Sequence, residues 1–171
     1  MIRFVGMDMN HYKSWQGLNK QLTELLCEPL KNRISYFLTR YHKVHNAYGR
    51  ASIRLDGIEL TNFSWVEVYK QSNDVKKQWE ETGVWDYEAP VLKDKWNREA
   101  TFSDYDFLYA AVKFLQLSIK DALQSDNYLI RVFAIMDKRV GKRTLEAIKK
   151  SGEYKTYPKW VRQFYELRFK S

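Results

Sequence analysis

The sequence predicts an α+β fold: an N-terminal helix and a three-stranded antiparallel meander packed with a mostly helical C-terminal half. Three observations carry this. Leu18, Leu22, Leu25, Leu26 and Leu30 recur at helical spacing near the start. Apolar and polar residues then alternate through residues 34–63, around an Asp56-Gly57 pair that favours a tight hairpin. From Ser103 helical spacing returns and persists. Strands gathered early and helices late argue against the alternating order of a parallel α/β sheet.

Taken in order, the first helix opens at Ser14, a good N-cap residue, and Pro29 marks its end. Ile34, Tyr36 and Leu38 alternate with Ser35, Phe37 and Thr39 as a first strand. A polar loop through His42, Asn46 and Gly49 leads to a second strand at 51–55, and Ile58-Glu59-Leu60 continues as the third. Trp65, Val68, Tyr69 and Trp79 suit one or two short helices, with Gly83 as a stop. Residues 84–102, with Trp85, Tyr87, Pro90 and Trp96, lack a clean period and read as irregular, with room for one edge strand.

Ser103 and Asp106 resemble a capping box. Phe107, Leu108, Ala111, Phe114, Leu115 and Ser118 then trace one long helix to about Leu123. Ser125-Asp126-Asn127 supplies a turn and a fresh N-cap for a helix from Tyr128 to about Arg139. Gly141 breaks the pattern, Thr144 to Lys150 forms another helix, and Pro158 begins a last one carrying Trp160, Phe164 and Leu167.

At 171 residues a single domain spanning 1–171 is expected, with no linker or repeat to divide it. A 44% hydrophobic content argues against disorder, and seven Gly with three Pro exclude collagen-like and linker-like chains. The lone Cys27 excludes an internal disulfide framework and fits a reducing compartment. The first residues lack the apolar core of a secretory signal, and Lys113 and Arg131 interrupt the longest apolar stretches. A soluble, cytoplasmic protein with no membrane partner is therefore expected.

Charge is the most informative feature. The net charge is +8, and residues 1–130 contribute none of it, holding 17 basic and 17 acidic side chains. Residues 131–171 hold 12 basic and 4 acidic ones. A neutral body with a basic end points to one surface facing nucleic acid or another polyanion; the alternative is a solvated face that maintains solubility. Drawn as one continuous helix, residues 129–149 place Arg131, Lys138, Lys142 and Lys149 within about 40° of one another. Leu129, Phe133, Met136, Val140 and Ala147 then lie opposite, and Leu145 spoils the pattern by landing near the cationic side. A bend at Gly141 repairs this and makes a helix-turn-helix-like corner carrying Arg139 and Arg143. The candidate nucleic-acid-binding residues are Arg131, Lys138, Arg139, Lys142, Arg143 and Lys149. Tyr154, Tyr157, Trp160 and Tyr165 lie among the later cations, where they either stack on bases or pack internally. For Trp160 and Phe164 the i, i+4 spacing favours core packing. A basic amphipathic helix can also lie on an anionic membrane, but the apolar face here is not unusually large.

Signals for catalysis are weaker. His42 and His45 have a spacing compatible with zinc, but no third ligand lies near, so neither a metal nor a cofactor is expected. The same loop offers a general base beside Arg40 and Arg50, with Asp56 and Glu59 on the adjoining hairpin to orient it; the alternative is an exposed polar loop. Gly141-Lys142-Arg143-Thr144 matches the tail of a phosphate-binding loop, but Met136 stands at the first glycine position and no strand precedes it. Glu67 and Lys70 are one residue too far apart for the Glu-x-Lys of a restriction-type nuclease. The leading expectation is a non-enzymatic binding protein. The alternatives are an adaptor or immunity-type protein-interaction module using the aromatics at 79–96, and a small hydrolase or nuclease using His42 or His45.

Two stretches carry a resemblance. One runs from Arg40-Tyr41 through Tyr48-Gly49-Arg50, Leu55-Asp56-Gly57 and Asn62-Phe63. The other joins Ser125-Asp126-Asn127, Ile130-Arg131 and Met136-Asp137-Lys138-Arg139-Val140-Gly141-Lys142-Arg143. Together they resemble a family of short uncharacterised bacterial proteins of unknown function, over roughly residues 15–169. Lys138 departs from the arginine common there but keeps the charge. The resemblance implies one bacterial intracellular domain and no particular chemistry. Its most specific motif, Asp137 to Arg143, is the corner the charge distribution singles out.

Overall fold

Ser14 is extended, and its Oγ accepts the Gly17 N–H at 3.1 Å, which starts α1 (Trp15–Leu25). The computed structural model describes residues 14–39, 49–64, 77, 80–83 and 103–171. α1 buries Leu18 and Leu22 and ends when Leu26 turns extended, so Pro29 falls in a separate 3-10 turn, Glu28–Leu30. The meander follows as β1 (Ile34–Thr39), β2 (Arg50–Leu55) and β3 (Ile58–Ser64), antiparallel in the order β1-β2-β3.

Asp56 and Gly57 take φ of 52° and 84°, the two left-handed residues that an Asp-Gly hairpin needs. Arg33 forks onto the Asp56 carboxylate, with Nη2 at 2.7 Å, and holds that carboxyl below its usual range. The third strand runs past the expected Leu60 to Ser64, with a register shift opposite Ile53/Arg54. Tyr36 faces Ile53 and Ala51 faces Phe63, and all four are buried on one side of the sheet. The other side carries Arg54 over the Phe37 ring at 4.2 Å, and Glu59, which accepts from Arg50 and Arg54. Burial pushes Glu59 up, but those two guanidiniums outweigh it and hold the carboxyl below its usual range.

α2 (Asp104–Gln116) opens on the predicted capping box: Asp106 N–H donates to Ser103 Oγ at 3.2 Å, and Ser103 N–H to Asp106 Oδ2 at 2.7 Å. Ser103→Ala is expected to lower stability by about 1 kcal/mol, read as a lower urea midpoint at unchanged slope. The expected single helix from Ser103 to Leu123 is in fact two. Leu117 turns extended, and Ser118 caps α3 (Ile119–Leu123), its Oγ accepting the Asp121 N–H at 3.1 Å. A second cap within reach of its own backbone prevails over continuing apolar periodicity.

α4 (Tyr128–Ile135) is capped by Asn127, as expected, but stops before Arg139. Residues 136–138 turn instead toward the N-terminal segment. Cys27 N–H donates to Met136 O at 2.9 Å and Lys138 N–H to Leu25 O at 2.8 Å, a short bridge centred on Leu26 and Asp137. α5 (Lys142–Ser151) starts from Gly141 and closes at Gly152, whose φ of 70° suits glycine. A 3-10 turn, Glu153–Thr156, leads to α6 (Lys159–Lys170), entered through Pro158.

The core lies between the sheet and the helices. α2 packs on β2, β3 and α4, while α1 packs on β1 and α2, and α6 on α4. Phe107, fully buried, touches the rings of Trp15, Tyr36, Phe63 and Phe133 at centroid separations of 5.6–6.3 Å. Gln163 on α6 donates to the Leu60 carbonyl at 3.2 Å and so ties the last helix to the sheet. Cys27 is buried, and burial pushes its thiol pKa up, which makes it unreactive filler. Gly49 abuts the buried Asp104, and a Cβ there would collide with the carboxylate. Gly49→Ala is therefore expected to cost about 1–3 kcal/mol, measured by thermal denaturation; an unchanged melting temperature would refute that tight packing. Among the described residues no helix is long and apolar enough to cross a membrane.

Candidate polyanion interface

The corner between α4 and α5 is built around a buried carboxylate. Asp137 is only 1% exposed. Its Oδ1 accepts the backbone N–H of Arg139 at 2.7 Å, and both oxygens accept the Arg139 fork, Nη2 lying at 2.7 Å. Asp137 holds the Arg139 guanidinium above its ordinary pKa. Val140 is buried and anchors the far end of the turn, and Arg168 from α6 donates to its carbonyl at 3.3 Å. The backbone at 137–140 is thus fixed from three sides, with Lys138 and Arg139 on its outer surface.

α5 carries the rest. It has no buried residue and rests on half-buried Leu145 and Ile148. Lys142 and Arg143 occupy its first turn, and both are exposed. No side chain caps that end, and no acidic residue sits in it. Lys149 lies further along, with Nζ 5.9 Å from the Phe169 centroid, followed by exposed Lys150. Among the described residues Lys138, Lys142, Arg143 and Lys149 form no ion pair, whereas the pairs within 131–171 are Arg131–Glu153, Arg139–Asp137 and Arg162–Glu166. Three of the four carboxylates here are matched to arginines, the exception being exposed Glu146 on α5, and these lysines are left to solvent.

The structure therefore brings Lys138, Arg139, Lys142 and Arg143 to one corner, with Lys149 along the helix. Arg131 stands apart. With its helix ending at Ile135, the continuous 129–149 ridge does not exist, and the Arg131 side chain is only 15% exposed. Its Nε donates to the Ser125 carbonyl and Nη1 to the Tyr157 hydroxyl at 2.6 Å, 3.6 Å from Glu153 Oε1. Tyr157 in turn donates to Glu153 at 2.8 Å. The bend expected at Gly141 is present but occupies residues 136–141, and Arg143 belongs to the helix, not to the loop.

Burial, and then Glu153 accepting its proton, push the Tyr157 pKa up to about 12 against the opposing charge of Arg131. Burial also raises Tyr36 and Tyr165. A phenol titrates near 10 when unfolded, so the folded state holds these protons more tightly. Stability is expected to be fully present below pH 10 and to fall as pH rises from 10 through 12. Tyr157→Phe should shallow that loss. A wild-type denaturation midpoint that stays flat to pH 12 would contradict the expectation.

Other candidates separate clearly. Trp160 meets Phe63 edge-on at 6.2 Å and Phe164 is fully buried, so both pack in the core. Tyr154 and Tyr165 are buried and stack on each other at 5.9 Å, leaving neither open to a base. Asp56 and Glu59 are occupied by arginines. His42, His45 and the aromatics at 79–96 lie outside the described residues. Among the described residues the one strongly exposed large apolar side chain is Ile58, at the hairpin tip. Sequence reasoning missed Asp137 and Arg168 as the residues that shape the corner. The Asp137-x-Arg139 spacing, typical of an Asx turn, was a usable signal for the first; nothing local marks the second.

A small α+β chain with a cationic helical corner is the class these features define. The chain belongs to the SF0329 protein family, whose model matches residues 14–169. No curated protein and no solved structure matches it.

Proposed function

We propose that this protein is a non-enzymatic binding protein that holds a polyanion, in the first place nucleic acid, at the α4–α5 corner. The observation that carries this reading is the first turn of α5. Lys142 and Arg143 sit there beside an end with no side-chain cap and no acidic residue. Cations at a helix N-terminus oppose the helix dipole and weaken the helix by a few tenths of a kcal/mol each. A phosphate docked there reverses that penalty, since it is met by free backbone N–H groups and by both side chains. Lys138 and Lys149 extend the same surface, and Arg139 adds the outer edge of its guanidinium. The turn at 136–141 is longer than the three or four residues of a DNA-reading helix pair, which favours backbone phosphate contacts over base readout.

The test is binding of labelled single- and double-stranded DNA and RNA across a salt series. Affinity should fall linearly in log–log salt, and Lys142→Glu with Arg143→Glu should reduce the slope by about two and the affinity more than tenfold. Unchanged binding by that double variant, or no binding at low salt, would overturn the reading.

A further inference from the structure

Behind α5, on the side away from Lys142 and Arg143, lies a cleft of about 680 Å³ bounded by α3, α4, α5, the 153–156 turn and α6. That volume falls within the ~300–1,000 Å³ typical of small-molecule sites. Its lining is mixed. Ile119, Leu123 and Ile148 are apolar, whereas Arg131, Lys120 and Tyr157 bring polar groups.

Arg131 is the unusual member. It is mostly buried, and two of its three guanidinium nitrogens are already committed, Nε to Ser125 and Nη1 to Tyr157. Those bonds fix the plane of the group. Nη2 makes no hydrogen bond among the described residues and keeps two N–H donors on a group that lines the cleft. A donor held in place by its own neighbours binds without further ordering. Glu153 offsets one positive charge, so Arg131 and Lys120 together leave an excess of one. A singly charged head matches that balance, and the aliphatic wall matches an apolar body.

We propose that this cleft is a binding site for a small organic anion, its single oxyanion head on Arg131 Nη2 near Lys120 and its apolar body against Ile119, Leu123 and Ile148. This cleft is separate from the cationic corner. Thr144, Ile148 and Ser151 line the cleft from within an arc of about 60° on α5, facing away from the exposed first-turn cations.

The probe is 8-anilinonaphthalene-1-sulfonate, a sulfonate on an apolar aromatic body, titrated by fluorescence into the full chain at neutral pH. Binding should saturate at one molecule per chain. Thr144→Trp fills the cleft from an exposed position, and Lys120→Glu reverses the charge of a lining side chain without touching the core. Each should weaken binding at least tenfold while the circular dichroism spectrum is unchanged. N-phenyl-1-naphthylamine, the same body without the sulfonate, should bind at least tenfold more weakly than the sulfonate. Non-saturating binding, or equal affinity in wild type and both variants, would overturn the site. Equal affinity for the charged and uncharged probes would overturn its selectivity for an anion.

Discussion

Phe107→Ala is expected to lower the unfolding free energy by about 4 kcal/mol, the largest single effect predicted for this chain. Phe107 is fully buried and joins four aromatic neighbours drawn from α1, β1, β3 and α4. Removing the ring leaves a cavity that all four would have to move to fill. They are anchored in different elements, so collapse is only partial, and the cavity adds to the lost transfer energy. Phe107→Leu keeps most of the volume and should cost roughly half as much. Urea denaturation of both variants measures this. A loss below about 1.5 kcal/mol for the alanine variant would mean that the aromatic cluster does not hold the sheet to the helices.

Asp137→Ala is expected to cost about 2–3 kcal/mol. The carboxylate is buried and accepts from the Arg139 backbone and from its guanidinium. Breaking a fully buried pair costs roughly 3–5 kcal/mol, and the 40% exposure of the Arg139 side chain places this pair below that range. Asp137→Asn should recover part of the loss, because an amide oxygen still accepts the Arg139 N–H. If the alanine variant were as stable as wild type, the turn would owe its shape to Val140, Arg168 and the backbone pairing with residues 25–27. The same substitution separates shape from charge at the corner. It raises the net positive charge yet should weaken polyanion binding, since Lys138 and Arg139 lose their fixed backbone.

What could be read from the sequence was local. Ser14, Ser103, Asn127 and Asp56-Gly57 act within three residues of themselves, and each does in the structure what its chemistry predicts. The failures come where a distant segment decides. Residues 136–138 keep an apolar helical pattern, and only pairing with residues 25–27 takes them out of the helix. Ser118 is the intermediate case: a cap signal was present in the sequence but competed with apolar spacing that pointed the other way. For the candidate interface, Lys138, Lys142 and Arg143 were legible as charge alone. The inward turn of Arg131 was not, because its partners Tyr157 and Glu153 come from 22 or more positions along the chain. Arg168 was invisible for the same reason, 28 positions from the carbonyl it grips.

The bridge between Leu26 and Asp137 also has a consequence for how the chain is made. Its two sides lie about 110 positions apart, and closing so long a loop costs roughly 4 kcal/mol of chain entropy before any contact offsets it. During synthesis the first helix and the meander leave the ribosome well before residues 136–138 exist. The inner face of the sheet, with Tyr36, Ile53 and Phe63, then lacks the Phe107 and Phe133 rings that pack on Phe63 and Tyr36 in the folded chain. A nascent chain arrested near residue 100 should therefore stay protease-sensitive and bind holdase chaperones, and protection should appear only once α4 and the turn after it have cleared the exit tunnel.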